Sequence, residues 1–357
     1  MKTARVAKLC EKMRERSVDL AVISSKENLY YFTGAYLDPM ERLLALVIHS
    51  DGSSQYFVNR LFFVDPSVQT ELIFWDDTED PVAMMAKVIP DGANVVIDQD
   101  WPARFLLGLM EAQPNARYRN MPELVNQLRA VKDAEEIELM TRSSRINDRV
   151  MEQLLAQVDG QITEEKLANL RYELFAQEGA NAYGTCCIFS YGAHCAEPHH
   201  VSDATLPRPG DSVMIDMGAP YQHYASDMTR TVFYREVSPE MEKIYNIVLR
   251  AHHEAAKAIR AGVPCCTIDR IARDIITQEG YGAYFTHRTG HGIGLTPHEF
   301  PDISSKCDAP LQAGMIHSVE PGIYLPGVGG VRIENLYVVT ETGADPLNQL
   351  PLDLMVV

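Results

Sequence analysis

The chain has 357 residues, 46% of them hydrophobic, which is enough to bury a sizeable core in about two domains. With 49 Asp and Glu against 32 Lys and Arg, its formal charge of −17 excludes nucleic acid or an anionic membrane as the natural partner, since both reward basic patches. No apolar run reaches the ~18 residues of a membrane span, and the charged start MKTARVAKLCEKMRERSVDLAVI lacks the apolar core of a signal peptide, so a cytoplasmic location is expected.

Seven cysteines, with neighbours at Cys186-Cys187 and Cys265-Cys266, show no CxxC spacing. That pattern predicts buried thiols in a reducing setting, without a disulfide framework or a zinc knuckle, and Cys195 carries no signal of a nucleophile.

The first third alternates helical and extended patterns. Val6, Leu9 and Met13 share a helical face, and residues 20–23 follow as an apolar strand. Two further strands, over 43–48 and 56–58, flank the turn signal Asp51-Gly52. More strands are expected over 72–75 and 95–97, with helices over 81–87 and 102–111. The mixture predicts a small sheet covered by helices, complete by about residue 125, with no chemistry of its own.

Asp133-Ala-Glu-Glu136 reads as a capping box opening a long amphipathic helix, whose buried side is lined by Ile137, Met140, Ile146, Val150 and Leu154. Thr163 starts a second helix that stops by Gly179. Ser238-Pro239 starts a third, ending at Gly262. A fourth is expected from about Ile268, capped by Thr267, to Gly280. Strands fill the gaps over 187–190, 213–234, 316–324 and 331–339, so a pattern of two helices and strands occurs twice.

The chemistry concentrates in those strands. In VMIDMGAPYQHYASDMTRTVFY, Ala225, Asp227, Thr229, Thr231 and Phe233 alternate onto one face. A hairpin turning at Tyr221-Gln222 would set Asp216 directly opposite Asp227. Like charges on facing positions of apolar strands repel, and a cation between them resolves the conflict. A second hairpin, centred on Gly327, would oppose Glu320 in SVEPGIY to Glu334 in VRIEN. His291 lies in HRTGHGIG, where glycines let backbone approach whatever the imidazole binds. Four carboxylates and one imidazole form a hard, strongly negative donor set that two divalent ions would neutralise, manganese first, with cobalt or zinc as alternatives. Paired ions that activate a water and polarise a carbonyl suit hydrolysis. His199, His287 and His298 lie near loop signals and are candidates to stabilise an oxyanion or move a proton.

In this order, MIDMGAPYQHYASDMTRT, HRTGHGIGL, SVEPGIY and GVRIEN closely resemble the proline-specific metallopeptidases of the pita-bread fold, prolidase and aminopeptidase P. SSKENLYYFTG, from Ser24, is similar to the start of their smaller N-terminal domain. The resemblance implies an α+β chain of two domains. Residues 1–125 would be a creatinase-type, ribonuclease-H-like domain, and residues 126–357 the pita-bread catalytic domain. It also implies Asp216, Asp227, His291, Glu320 and Glu334 as ligands of two metals, with Asp227 and Glu334 touching both. Glu320 would be the general base acting on a bridging water. His199, His287 and His298 would be active-site histidines, with Tyr324 and Arg332 supporting the site. The implied reaction is cleavage before proline in Xaa-Pro dipeptides or short Xaa-Pro peptides, by a homodimer. Asp302 departs from the pattern, because some prolidases carry there an arginine that holds a dipeptide's carboxylate. The competing expectations are a lyase or a creatinase-like hydrolase of a small zwitterion on the same fold, and a binding module that would have lost the ligands.

Overall fold

The computed structural model describes residues 1–183, 185 and 187–357, and Cys186 of the first cysteine pair lies outside the described residues. The chain divides into two compact units, Met1–Arg129 and Ala130–Val357.

The first unit is a six-stranded sheet with helices around it. Its strands are β1 (Leu20–Ile23), β2 (Ala45–His49), β3 (Ser54–Asn59), β4 (Glu71–Trp75), β5 (Asn94–Ile97) and β6 (Arg117–Asn120). Its helices are α1 (Thr3–Glu15), α2 (Lys26–Thr33), α3 (Pro81–Ala86), α4 (Ala103–Ala112) and α5 (Glu123–Ala130). The sheet order is β4-β3-β2-β1-β5-β6, and β2 and β3 form the expected antiparallel hairpin over Asp51-Gly52. The SSKENLYYFTG segment is α2 with its caps: Ser25 accepts from the Asn28 amide, and Gly34 closes the helix at φ 77°. Buried Asp98 holds this helix start, accepting from the amides of Ser24 (3.0 Å) and Ser25 (2.9 Å) and from Asn28 Nδ2 (2.9 Å). That segment is therefore structural. β6 was not expected, because Arg117-Tyr-Arg-Asn120 has no apolar alternation and three of its four residues are exposed.

In the second unit α6 (Ala134–Leu155) opens with the full capping box, the Asp133 and Glu136 side chains each accepting from the other's amide. Thr163 caps α7 (Glu164–Gln177) through the Lys166 amide. These two helices cover the three-stranded sheet β7 (Cys187–Tyr191), β8 (Ser212–Met217) and β9 (Met228–Phe233), burying Val150, Leu154 and Phe175 against Phe189, Ile215 and Val232. The pattern then repeats. Ser238 caps α8 (Pro239–Lys257), and α9 spans Cys265–Gln278. They pack on β10 (Gly290–Gly292), β11 (Glu299–Ile303), β12 (Ile316–Val319), β13 (Gly322–Leu325), β14 (Gly329–Arg332), β15 (Asn335–Val339) and β16 (Ala344–Pro346). α9 begins three residues before the expected Ile268. Its N-cap is Pro264, with no side-chain cap, so the Thr267 signal pointed inside the helix.

The two hairpins come out differently. The first turns at Gln222-His223, both with positive φ (47° and 73°), between paired Tyr221 and Tyr224. That is the backbone of a type I′ turn. It shifts the register, so Asp216 faces Thr229 and Asp227 lies just before β9, not directly opposite Asp216. The second hairpin is symmetric about Gly327, with Gly322 facing Arg332 in β13–β14 and Val319 facing Asn335 in β12–β15. Expected as continuous strands, 316–324 and 331–339 are each broken, and Glu320 and Glu334 occupy the breaks.

α8 also buries His252, with neither ring nitrogen hydrogen-bonded, and burial holds its pKa down at about 3. A histidine depressed this way has no titration cost to the fold above its unfolded pKa of about 6.5 and destabilises it progressively below, by about 1.4 kcal/mol for each pH unit until its folded value is reached. His252→Leu is expected to keep or raise the melting temperature at pH 7 and to flatten its fall between pH 6 and pH 4. Parallel melting curves check this, and an unchanged acid limb would refute it.

Candidate metal centre and active cleft

Four positions in or beside strands deliver the acids. Asp216 is the penultimate residue of β8 and Asp227 immediately precedes β9. Glu320 and Glu334 sit in the two strand breaks beside them, and β10 brings His291. With His199, His287, His298 and Arg332 they line one cleft of about 130 Å³, together with Ile188, Pro198 and Arg288.

The glycines around His291 serve a purpose other than the one expected. β10 is wedged between β11 and β12; a Cβ on Gly290 would strike the Ser318 carbonyl, and one on Gly292 the Phe300 carbonyl. They let the strand fit, and so fix where the imidazole points. His291 Nδ1 faces the Gly292 carbonyl at 3.1 Å, which can only accept, so this nitrogen carries the proton. Nε2 is left as a lone-pair donor, 3.3 Å from Glu320 Oε1 and 3.8 Å from Asp227 Oδ2. Burial holds the imidazole neutral, with its pKa lowered to about 4.

Donor atoms of Asp227, His291 and Glu334 lie within 4.8 Å of one another. Both carboxyls are pushed well above the ordinary range. For Asp227 the causes are burial, then Asp216 and Glu320; for Glu334 they are burial, then Asp227 and Glu320. Glu334 Oε1 is buried with no hydrogen-bond partner, while Oε2 accepts from Thr229 Oγ1 at 2.7 Å. An orphaned, buried carboxylate oxygen aimed at a neutral imidazole and further acids is what a divalent ion satisfies. The residues fit a metal.

One cation is built in. Buried Arg332 donates to Asp216 Oδ2, to Tyr324 Oη (3.1 Å) and, through Nε, to Thr229 Oγ1 (3.1 Å). Burial opposes its charge, but Tyr324, Asp216 and Glu320 outweigh it and hold the guanidinium protonated. Tyr324 Oη in turn meets His287 Nε2 at 2.6 Å, and His287 Nδ1 meets the Arg288 carbonyl at 2.6 Å. Since Nδ1 donates to a carbonyl, neutral His287 accepts from the tyrosine, giving a chain with defined proton positions from Arg332 to His287. Burial, the largest influence, lowers the His287 pKa and favours that neutral form.

Of the predicted residues, His287 lines the cleft with both ring nitrogens engaged. His298 lies by His291 with the ring centroids 4.1 Å apart and the planes tilted by 60°, and is exposed, as is His199. Sequence reading missed Thr229, which joins Arg332 to Glu334. It also missed the role of Ser318, which accepts from the His291 amide (3.0 Å) and donates to Glu320 (3.1 Å). The signal was present: each is two residues from a carboxylate on the same strand face. Asp302 faces His291 across β10–β11 and accepts from Arg288, so the cleft keeps a guanidinium although position 302 is acidic. Cys195 is fully buried with its pKa pushed up by burial to about 11, and its thiol donates to the Ser190 and Ser212 carbonyls; it is no nucleophile.

The model of metallopeptidase family M24 matches residues 138–341, and that of the creatinase/prolidase N-terminal domain matches residues 5–131. An uncharacterized peptidase of Staphylococcus aureus is 34% identical over 96% of this chain and 98% of its own length. A crystal structure of recombinant prolidase from Thermococcus sibiricus superposes with a TM-score of 0.94 at 31% identity, covering 100% of this chain and 99% of that one. A dipeptidase from Pyrococcus horikoshii gives 0.93 at 35% identity, covering 99% of this chain and 100% of the other.

Proposed function

The chain belongs to metallopeptidase family M24, with a creatinase-type N-terminal domain before a pita-bread domain, and on that premise we propose that it hydrolyses the bond preceding proline in Xaa-Pro dipeptides. The observation that carries the reading is the convergence of Asp227 with buried His291 and Glu334, with an unpartnered carboxylate oxygen, in a chain similar throughout to a prolidase and a dipeptidase. Asp216, Asp227, His291, Glu320 and Glu334 would hold two divalent ions, most readily manganese. When bound, such ions supply an acidified water and a polarised carbonyl.

The protein's own groups do the rest. In this reading Glu320 takes a proton; its support is that Glu320 lines the cleft and that its Oε1 accepts from the Ser318 hydroxyl. In the same reading His199 and His298, which line the cleft and are exposed, donate to the developing oxyanion and to the leaving nitrogen. That nitrogen belongs to a tertiary amide without an N–H, so recognition must come from ring shape and from the peptide's ends. Arg288, held by Asp302 at the cleft, serves as the anchor for the free carboxylate.

The reading is tested by assaying Xaa-Pro dipeptides against Xaa-Pro-Yaa tripeptides, with manganese, cobalt or zinc restored to chelated protein. Dipeptide preference is expected; no proline release with any metal would overturn it. Arg288→Ala is expected to raise KM for dipeptides about 10- to 100-fold, with a much smaller effect on kcat and on tripeptides. Steady-state kinetics on both substrates checks the anchor, and an equal loss on both would reject it.

A further inference from the structure

A second cluster of metal-type donors lies on the β7–β8 connection, which also carries His199. Glu164, at the start of α7, has a fully buried carboxylate. Two backbone amides fix it: Tyr191 N donates to Oε1 at 2.7 Å and Asp203 N to Oε2 at 3.1 Å. One remaining position on each oxygen faces an imidazole, His194 Nδ1 at 3.0 Å and His200 Nε2 at 2.8 Å. The two rings are stacked, 4.2 Å between centroids. A donor atom from each of Glu164, His194, His200 and Asp203 falls within 4.8 Å of the others.

Hydrogen bonds alone account for the burial of Glu164, but not for the charge around it. Asp203 is held ionised, its pKa lowered chiefly by the Thr205 hydroxyl and amide, and Glu197 Oε2 stands 3.9 Å from His200 Nδ1. Three carboxylates thus surround two imidazoles. With the carboxylates ionised the cluster stays negative even when both rings carry a second proton, and a divalent ion corrects that.

The geometry points to a site for one divalent transition metal of zinc type, held by His194, His200, Glu164 and Asp203 and separate from the cleft. Two imidazoles and two carboxylates are a tetrahedral zinc donor set, and imidazole selects zinc, copper or nickel over magnesium or calcium. Small movements suffice, because tetrahedral ligands at about 2.0–2.1 Å stand roughly 3.3 Å apart. Neutral imidazoles need only change tautomer. Nδ1–H of His200 then points toward Glu197, the outer carboxylate that metal-bound histidines commonly find. Filling the site ties both ends of the segment around Pro198-His199 to α7, and so sets one wall of the cleft.

The test uses full-length, chelated protein, zinc chloride as the probe, and counts metal per chain after gel filtration. The double variant His194→Ala/His200→Ala is expected to bind about one zinc fewer per chain than the wild type, and Asp203→Ala to bind that ion at least about tenfold more weakly. Should the double variant fail to fold, His291→Ala, which disables the cleft instead, is expected to retain one zinc per chain. Equal zinc content in wild type and the double variant, or zinc held at the cleft only and none in His291→Ala, overturns the site. Peptidase activity enters neither readout, so the outcome is independent of the proposed substrate.

Discussion

Replacing Asp227 by asparagine is expected to lower turnover by at least about 10³-fold at saturating manganese while leaving the chelated protein no less stable than the wild type. The two halves of this expectation share one cause. Asp227 is a largely but not fully buried carboxylate whose ionisation is opposed by desolvation, by Asp216 and by Glu320. A carboxyl whose folded pKa is raised costs the fold stability as pH rises through the window above its unfolded value. Asparagine removes that cost at almost constant volume. It also removes a charge that a cation needs, so manganese should raise the melting temperature of the wild type, by the usual linkage to ligand concentration, and hardly that of the variant. Melting with and without manganese, alongside proline-release kinetics, checks both halves. Wild-type turnover in Asp227→Asn, or strong destabilisation of the chelated variant, would contradict the account.

Arg332→Met is expected to be the most destabilising single change at the centre, about 3–5 kcal/mol in chelated protein, because it leaves Asp216 near Asp227, Glu320 and Glu334 without the buried guanidinium that pairs with it. At about 2–4 °C per kcal/mol for a unit of this size, the melting temperature should fall by roughly 10 °C. Activity should fall too, because Tyr324 loses the donor that orders it toward His287. Manganese should restore part of the lost stability, since added cations relieve the same repulsion. Arg332→Lys should fall between, keeping charge but losing the fork that reaches Thr229, Tyr324 and Asp216 together. Near-wild-type melting of chelated Arg332→Met would show that the arginine is not the counter-charge.

What could be read from the sequence, and what could not, follows from how local each signal is. Asp133, Thr163 and Ser238 announce their helices because each caps with its own side chain within a few residues. The start of α9 was misplaced because Pro264 caps it without a side chain. The second hairpin was legible because its symmetry needs only the glycine at its tip. The first was not: its turn uses Gln222 and His223 at positive φ, where asparagine and glycine are the residues that advertise such a turn. The carboxylates stood out as acids in apolar strands, and their convergence survives the corrected register. Thr229 and Ser318 looked like ordinary strand residues, because what they touch comes from strands far along the chain. Glu164 was invisible for the same reason, its histidine partners being 30 and 36 residues away.

The shared register about Gly327 makes the length of a surface turn a determinant of the chemistry. Glu320 and Glu334 each sit seven positions from Gly327, roughly 23 Å along extended chain, yet both line the cleft only because the two arms contain the same number of residues. A single deletion among residues 326–328 would slide one arm past the other and turn one acid away from its counterpart, although no residue lost touches the cleft. The side chains of Pro326 and Val328 can vary there, but the number of residues, and the glycine at φ 77°, cannot.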